Sequence, residues 1–277
     1  MPQLSLADRA AALQRLLIDP PAGYAGKVDG ELGDKSRAAF TRLADATLAQ
    51  PVAIGAGAGA GPLMVAGQFT GIIDVNHANR IDLEKLKAAG FAAIIHKASQ
   101  GVSYDDGLYQ TRKEAALAMG FLWGAYHFAT GADGRKQSAN FLGDEAGSDP
   151  KVLCVLDFEP DETGPDMTLQ EGRDWIHAVA DATGRMPMIY GGGGLLRDLL
   201  EDRADDLFAQ CPLWLCDMRE HPRPILPNWP AWTLLQYTDG QGGQPPREVP
   251  GSDGADRNSY PGTLEQLRAA WPFTHSA

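Results

Sequence analysis

The chain has 277 residues, enough for one barrel-sized domain and a small one, and 44% of them are hydrophobic, enough for a sizeable core. Its formal charge is −12 and no Lys/Arg-rich run offers a local exception, which argues against nucleic acid and anionic lipid as partners. Three cysteines and six scattered histidines make neither a disulfide framework nor a metal-ligand spacing, so neither metal nor cofactor is expected.

No segment approaches the ~20 apolar residues of a membrane span. The opening residues, Met1 to Arg9, have no basic region and no apolar core, so no signal peptide is read. Leu6, Ala10, Leu13 and Leu17 recur at helical spacing and predict a helix over 4–18, stopped by Pro20 and Pro21. Gly30 and Gly33 suit tight turns, and Asp34 caps a second helix running to about Leu48. Residues 1–50 are thus a small α-helical domain. Residues 51–68 are Gly- and Ala-rich and read as a flexible linker, spanning roughly 20–25 Å.

From 69 to 277 strand-like and helix-like pieces alternate. The strands expected are Thr70–Asn76, Phe91–Ser99, Phe121–Ala129, Val152–Glu159, Met186–Gly191, Leu213–Asp217, Thr233–Thr238 and Ala255–Tyr260. Helices are expected over Asp82–Ala89, Gly107–Met119, Arg135–Ala146, Leu169–Thr183 and Leu195–Leu207. Thr168 with Glu171 makes a capping box for the fourth, and Gly184 closes it. The alternation implies an α/β fold with a parallel sheet, and eight strands suggest a (β/α)8-type barrel that loses its helices in the last third.

The stretch from Lys151 to Glu159 ends an apolar run in Asp157 and Glu159. Residues two apart on a strand share a face, so these carboxylates point the same way with Cα atoms ~6.6 Å apart. Like charge and partial burial raise one pKa, the arrangement that glycosidic cleavage uses. Acid pairs at strand ends also arise as helix caps or solvated loop starts. Asp74 ends the first strand and Asp256 lies in the last, so a closed barrel brings four acids to one mouth. Tyr126, His127, Phe128, Tyr190, Trp214, Gln236 and Tyr237 collect at the same strand ends, and such aromatics and amides suit a carbohydrate cleft.

Leu13, Gln14, Leu17, Tyr24, Val28-Asp29-Gly30, Leu32-Gly33, Ser36, Ala39 and Phe40 resemble the peptidoglycan-binding-like helical module. A plain helical cap on the main domain is the alternative. The resemblance of residues 69–262 is closer. Gly71–Val75, Ile94–Gly101, Gly124–Phe128, Leu156–Glu159, Pro187–Tyr190, Pro212–Leu215, Trp232–Thr238 and Ala255–Asn258 look like family 25 glycoside hydrolases, the Chalaropsis-type lysozymes.

That resemblance implies an incomplete (β/α) barrel and an N-acetylmuramidase. Such an enzyme cleaves the β-1,4 bond between N-acetylmuramic acid and N-acetylglucosamine in peptidoglycan with retention. Glu159 would be the general acid. Asp157 would stay charged, as nucleophile or as stabiliser of a substrate-assisted intermediate. Asp74 and Asp256 would hold the acetamido group or tune Glu159, and Lys97 would join the substrate contacts. Two departures stand out: Gln100 where the family commonly has Glu, and Arg257 where an apolar residue is usual. The rivals are a chitinase-like hydrolase and a non-catalytic wall-binding protein. The expected partner is bacterial peptidoglycan, and the expected state is a monomer. It would be made in the cytoplasm and reach the wall through a holin or a dedicated secretion system.

Overall fold

The computed structural model describes residues 67–273, apart from 144–148, 193, 202, 221 and 223–227. All of these belong to the second of the chain's two units, Gly59–Ala277. The helices expected over 4–18 and up to Leu48, the module they form, and all but the last two residues of the 51–68 linker lie outside the described residues.

The strands are β1 (Phe69–Val75), β2 (Ala93–Gln100), β3 (Tyr104–Asp105), β4 (Leu122–Phe128), β5 (Leu153–Asp157), β6 (Met188–Gly192), β7 (Leu213–Cys216), β8 (Leu234–Thr238) and β9 (Asp256–Tyr260). The helices are α1 (Leu83–Ala88), α2 (Tyr109–Ala118), α3 (Gly134–Gly143), α4 (Leu169–Thr183), α5 (Leu195–Leu200) and α6 (Leu264–Ala270). Eight strands close a barrel in the order β1-β2-β4-β5-β6-β7-β8-β9, with β9 returning to β1 and β3 edging β2. All eight expected strands are present. Among the described residues no helix is long and apolar enough to cross a membrane.

The sheet departs from the expected all-parallel one. β1, β2 and β4 to β8 pair parallel around the barrel, β3 edges β2 antiparallel, and β9 runs antiparallel to both β8 and β1. A parallel strand needs a crossover, usually a helix. The connection from Asp239 to Ala255 contains none, so the chain turns back and enters β9 at the mouth.

Two helix expectations also change. α5 stops at Leu200, well short of Leu207, because Glu201 adopts the left-handed region at φ 47° and ends the ladder. α6 was not expected from the sequence, although Thr263 and Gln266 make a full capping box at its start. The third helix ends at Gly143, and the rest of the 135–146 segment lies outside the described residues. α4 forms as expected: Thr168 accepts from the Glu171 amide, Trp175, Ile176 and Val179 are buried, and Gly184 closes it at φ 67°.

Alternation along each strand sorts the core into two layers. Ile73, Ile94, Leu156, Ile189, Leu213 and Leu235 join Trp175 of α4 in one layer. Their neighbours Ile72, Ile95, Val155, Met188, Trp214 and Leu234 form the second, which also takes in Leu267 of α6 and Phe273. The second layer fills the barrel interior below the strand ends, as barrel interiors require. Burying each such side chain contributes roughly 1.5–3 kcal/mol. This apolar plug makes the acids above it costly to ionise.

Candidate active site

The same alternation places the mouth. Asp157 ends β5, Phe158 turns outward onto Phe208 with ring centroids 6.1 Å apart, and Glu159 returns to the inner side. Asp74 of β1 stands opposite Asp256 of β9. Because β9 is antiparallel, its first residue meets the last residues of the other strands. Asp157 is opposite Tyr190, Tyr190 opposite Trp214, Cys216 opposite Gln236, and Gln236 opposite Asn258. Asp74, Asp157, Glu159, Tyr190, Trp214, Gln236 and Asp256 of this set ring a cavity of about 260 Å³, with Cys216 and Asn258 behind them.

Nine residues singled out from the sequence line that cavity: Asp74, Lys97, Tyr126, Asp157, Glu159, Tyr190, Trp214, Gln236 and Asp256. His127 does not. It faces the helices, fully buried, bonded to Ser99 Oγ at 2.8 Å and Gln137 Oε1 at 3.2 Å and stacked on Trp175. Tyr237 does not either. Its hydroxyl donates to the Pro246 carbonyl at 3.1 Å on the outer surface of the barrel. Each sits one residue from a true lining residue, so the pleat turns it to the opposite face. As substrate contacts both are corrected to structural roles.

Phe128, expected among the aromatics at the strand ends, lines the cavity as well; sequence reasoning missed Asn76, which lines it, and Asn258 and Cys216, which bond its residues. Each of the three lies two residues after an expected site residue (Asp74, Asp256 and Trp214), so the period of two was the signal that could have found them.

Gln236 joins the acids. Its Nε2 donates to Asp74 Oδ2 at 3.1 Å and to Asp256 Oδ2 at 3.2 Å. Asn258 Nδ2 donates to Asp74 Oδ2 at 2.8 Å and is itself oriented by Trp214 Nε1, 2.7 Å from Asn258 Oδ1. Lys97 Nζ donates to Gln100 Oε1 at 2.6 Å and lies 4.8 Å from the centre of the Phe128 ring. Gln100 thus orients the lysine without cancelling its charge.

Burial dominates the electrostatics. It lifts Asp74 to about 6, against the amide hydrogen bonds that favour its charged form. It lifts Asp256 to about 8, with the charge of Asp74 adding to the effect. Asp157 is raised well above the carboxylate range, first by burial and then by the charge of Glu159. Glu159 is raised by burial, opposed by its hydrogen bond with Asp157 and by Lys97. The pair titrates as a unit. Its proton is held more firmly at Asp157, which is only 6% exposed, and Asp157 Oδ1 is buried without a hydrogen-bond partner. Among the described residues no cluster of His, Cys, Asp and Glu is arranged to hold a metal ion.

Comparison with known proteins agrees with this chemistry. The model of glycosyl hydrolases family 25 matches residues 73–243. Lysozyme M1 of Streptomyces globisporus is 28% identical over 212 residues, covering 71% of this chain and 69% of that protein. The bacterial lysozyme from Streptomyces coelicolor superposes with a TM-score of 0.63 at 26% identity, covering 73% of this chain and 95% of the other. The family GH25 lysozyme from Aspergillus fumigatus gives 0.62 at 25% identity, covering 73% and 98%. The family match stops short of Asp256, which the β1–β9 pairing returns to the mouth. By that match, which takes in Asp74, Asp157 and Glu159, the chain belongs to glycosyl hydrolase family 25 and is a glycoside hydrolase.

Proposed function

We propose that this chain is a lysozyme: an N-acetylmuramidase that cleaves the β-1,4 bond between N-acetylmuramic acid and N-acetylglucosamine in peptidoglycan, with retention. The observation that carries the reading is the Asp157–Glu159 pair. The two carboxyls lie within hydrogen-bonding reach of each other. An inverting enzyme needs its acids far enough apart, roughly 6.5–9.5 Å, to seat a water between them. The names of the relatives, lysozymes from bacteria and a fungus, support the same substrate.

Glu159 is the more accessible of the pair and protonates the leaving glycosidic oxygen, taking the proton shared with Asp157. Loss of that proton leaves Asp157 charged beside it. Asp157 lies too deep to attack the sugar itself. Its unpartnered Oδ1 suits the N–H of the substrate's 2-acetamido group, whose oxygen then closes on the anomeric carbon. Glu159, now a carboxylate, draws a proton from a water that attacks the anomeric carbon and displaces the acetamido oxygen, which reopens the amide and completes hydrolysis. Tyr126, Tyr190 and Trp214 offer ring faces and edges to the sugars, and Lys97 balances the acidic mouth.

The barrel is of the incomplete (β/α)8 type, acting as a monomer. Residues 1–50 serve as a peptidoglycan-binding-like module tethered by the 51–68 linker. The chain reaches the wall through a holin or a dedicated secretion system. The test is incubation of wild type and Glu159→Gln with purified sacculi, followed by mass analysis. Wild type is expected to release fragments with reducing-end N-acetylmuramic acid. Release by Glu159→Gln at near the wild-type rate would sink the assignment.

A further inference from the structure

Gln236 is the hub of the mouth and is only 2% exposed. Its two ends keep opposite company. Oε1 accepts from the Tyr190 hydroxyl at 2.8 Å and from Cys216 Sγ at 3.1 Å. Nε2 faces the carboxylates of Asp74, at 3.1 and 3.3 Å, and of Asp256, at 3.2 Å. Both lone pairs of the oxygen and both hydrogens of the nitrogen are thereby used. A reversed amide would set its oxygen against two acids and its nitrogen against two donors. The orientation is therefore specified twice over.

We propose that Gln236 is a positioning residue: Tyr190 and Cys216 lock its amide so that the NH2 group bridges Asp74 and Asp256 and fixes their spacing. The proposal deepens the muramidase reading and rests on it for its rate measurements. The bridge matters because the mouth is crowded with charge. Asp74 and Asp256 face Glu159 and Asp157 of the β5 end, Asp239 after β8, and Lys97 of β2. With Asp74 lifted to about 6 and Asp256 to about 8, the pair carries one proton near neutral pH. A donor that reaches both oxygens holds that state, whereas an acceptor in its place would repel it. The Cys216 thiol, pushed up to about 12 by burial, stays protonated and so remains a donor.

The experiment is a set of three variants followed by two measurements. Gln236→Glu keeps the shape and replaces the donor by a fifth acid. It is expected to lower kcat at least 10-fold and to move the acid limb of the pH–rate profile up by about one unit. Cys216→Ala is expected to lower kcat a few-fold, and Cys216→Ser to restore it. Titration of 13C-carboxyl-labelled aspartate by NMR reads the two acids without any turnover. The Asp74 and Asp256 titrations should both move up in Gln236→Glu. A folded Gln236→Glu with wild-type pH profile and wild-type titrations overturns the proposal, as does Cys216→Ser failing to recover what Cys216→Ala loses. A wild type that releases no reducing ends from sacculi fails the muramidase reading instead, and the NMR titration still decides the role of Gln236.

Discussion

Two kinds of buried polar group sit on the two faces of the same barrel wall. On the outer face His127 and His96 are fully buried and supplied with partners from the protein. His127 has Ser99 and Gln137, while His96 has the Lys97 carbonyl and Arg112. Burial lowers both rings to about 4, so they stay neutral and their hydrogen bonds are complete at physiological pH. On the inner face Asp74 and Asp256 take amide donors from Gln236 and Asn258, but Asp157 keeps a buried oxygen with no hydrogen-bond partner. The difference teaches how to tell structure from function where both are buried and polar. A group satisfied from within the fold stabilises it, while a group left wanting is held for a ligand at a cost in stability.

The largest expected effect falls on the inner face. Glu159→Gln removes the proton donor and should reduce kcat on sacculi about 10³-fold while leaving the melting temperature at or above that of wild type. A coupled loss of folding would place Glu159 with the structural groups instead. On the outer face the balance reverses. His127→Ala deletes a stacked ring and two hydrogen bonds and is expected to cost about 2–4 kcal/mol, seen as a lower midpoint in urea. The kcat per folded molecule should stay within about two-fold of wild type. A raised KM would return His127 to the substrate cleft.

Asp256→Asn sharpens the contrast through pH. The carboxyl, normally near 3.8, is held up at about 8, so the folded chain keeps a proton that the unfolded chain has released. Its stabilising contribution is full below pH 4 and is lost as pH rises through 8. The variant should therefore match wild type near pH 4 and exceed it at pH 8.5. The gain is on the order of 2 kcal/mol, discounted because the mouth is open to solvent. Calorimetry across that range reads it, and a constant gap between the two proteins would refute the titration. The smallest effect is Tyr237→Phe, which removes the bond to the Pro246 carbonyl and should cost about 1 kcal/mol with KM unchanged.

Much of the mouth was legible beforehand because a strand has a period of two. Asp157 and Glu159 were paired on that ground, and the pairing holds. The errors break the same rule. His127 and Tyr237 are aromatic and near a strand end, but each is one residue out of phase with Tyr126 or Gln236 and so faces away from the mouth. Asn76, Cys216 and Asn258 each sit in phase, two residues after Asp74, Trp214 and Asp256. The ends of α4 were legible because residue type marks them, the Thr168 hydroxyl at its start and the left-handed Gly184 at its close. The end of α5 was not, because the backbone alone decides at Glu201, whose left-handed conformation carries no residue-type signal.

The sequence by itself determined the eight barrel strands, the family and the carboxylate pair, because alternation, capping and motif spacing are local and survive without tertiary contacts. Only the tertiary structure decided the direction of β9, and with it why Asp256, at the start of a strand, stands beside Asp74, at the end of one. It also decided which acid holds its proton most firmly. That depends on the dielectric around each carboxyl and the donors that reach it, and Gln236, Asn258 and the apolar plug come from separate stretches of the chain.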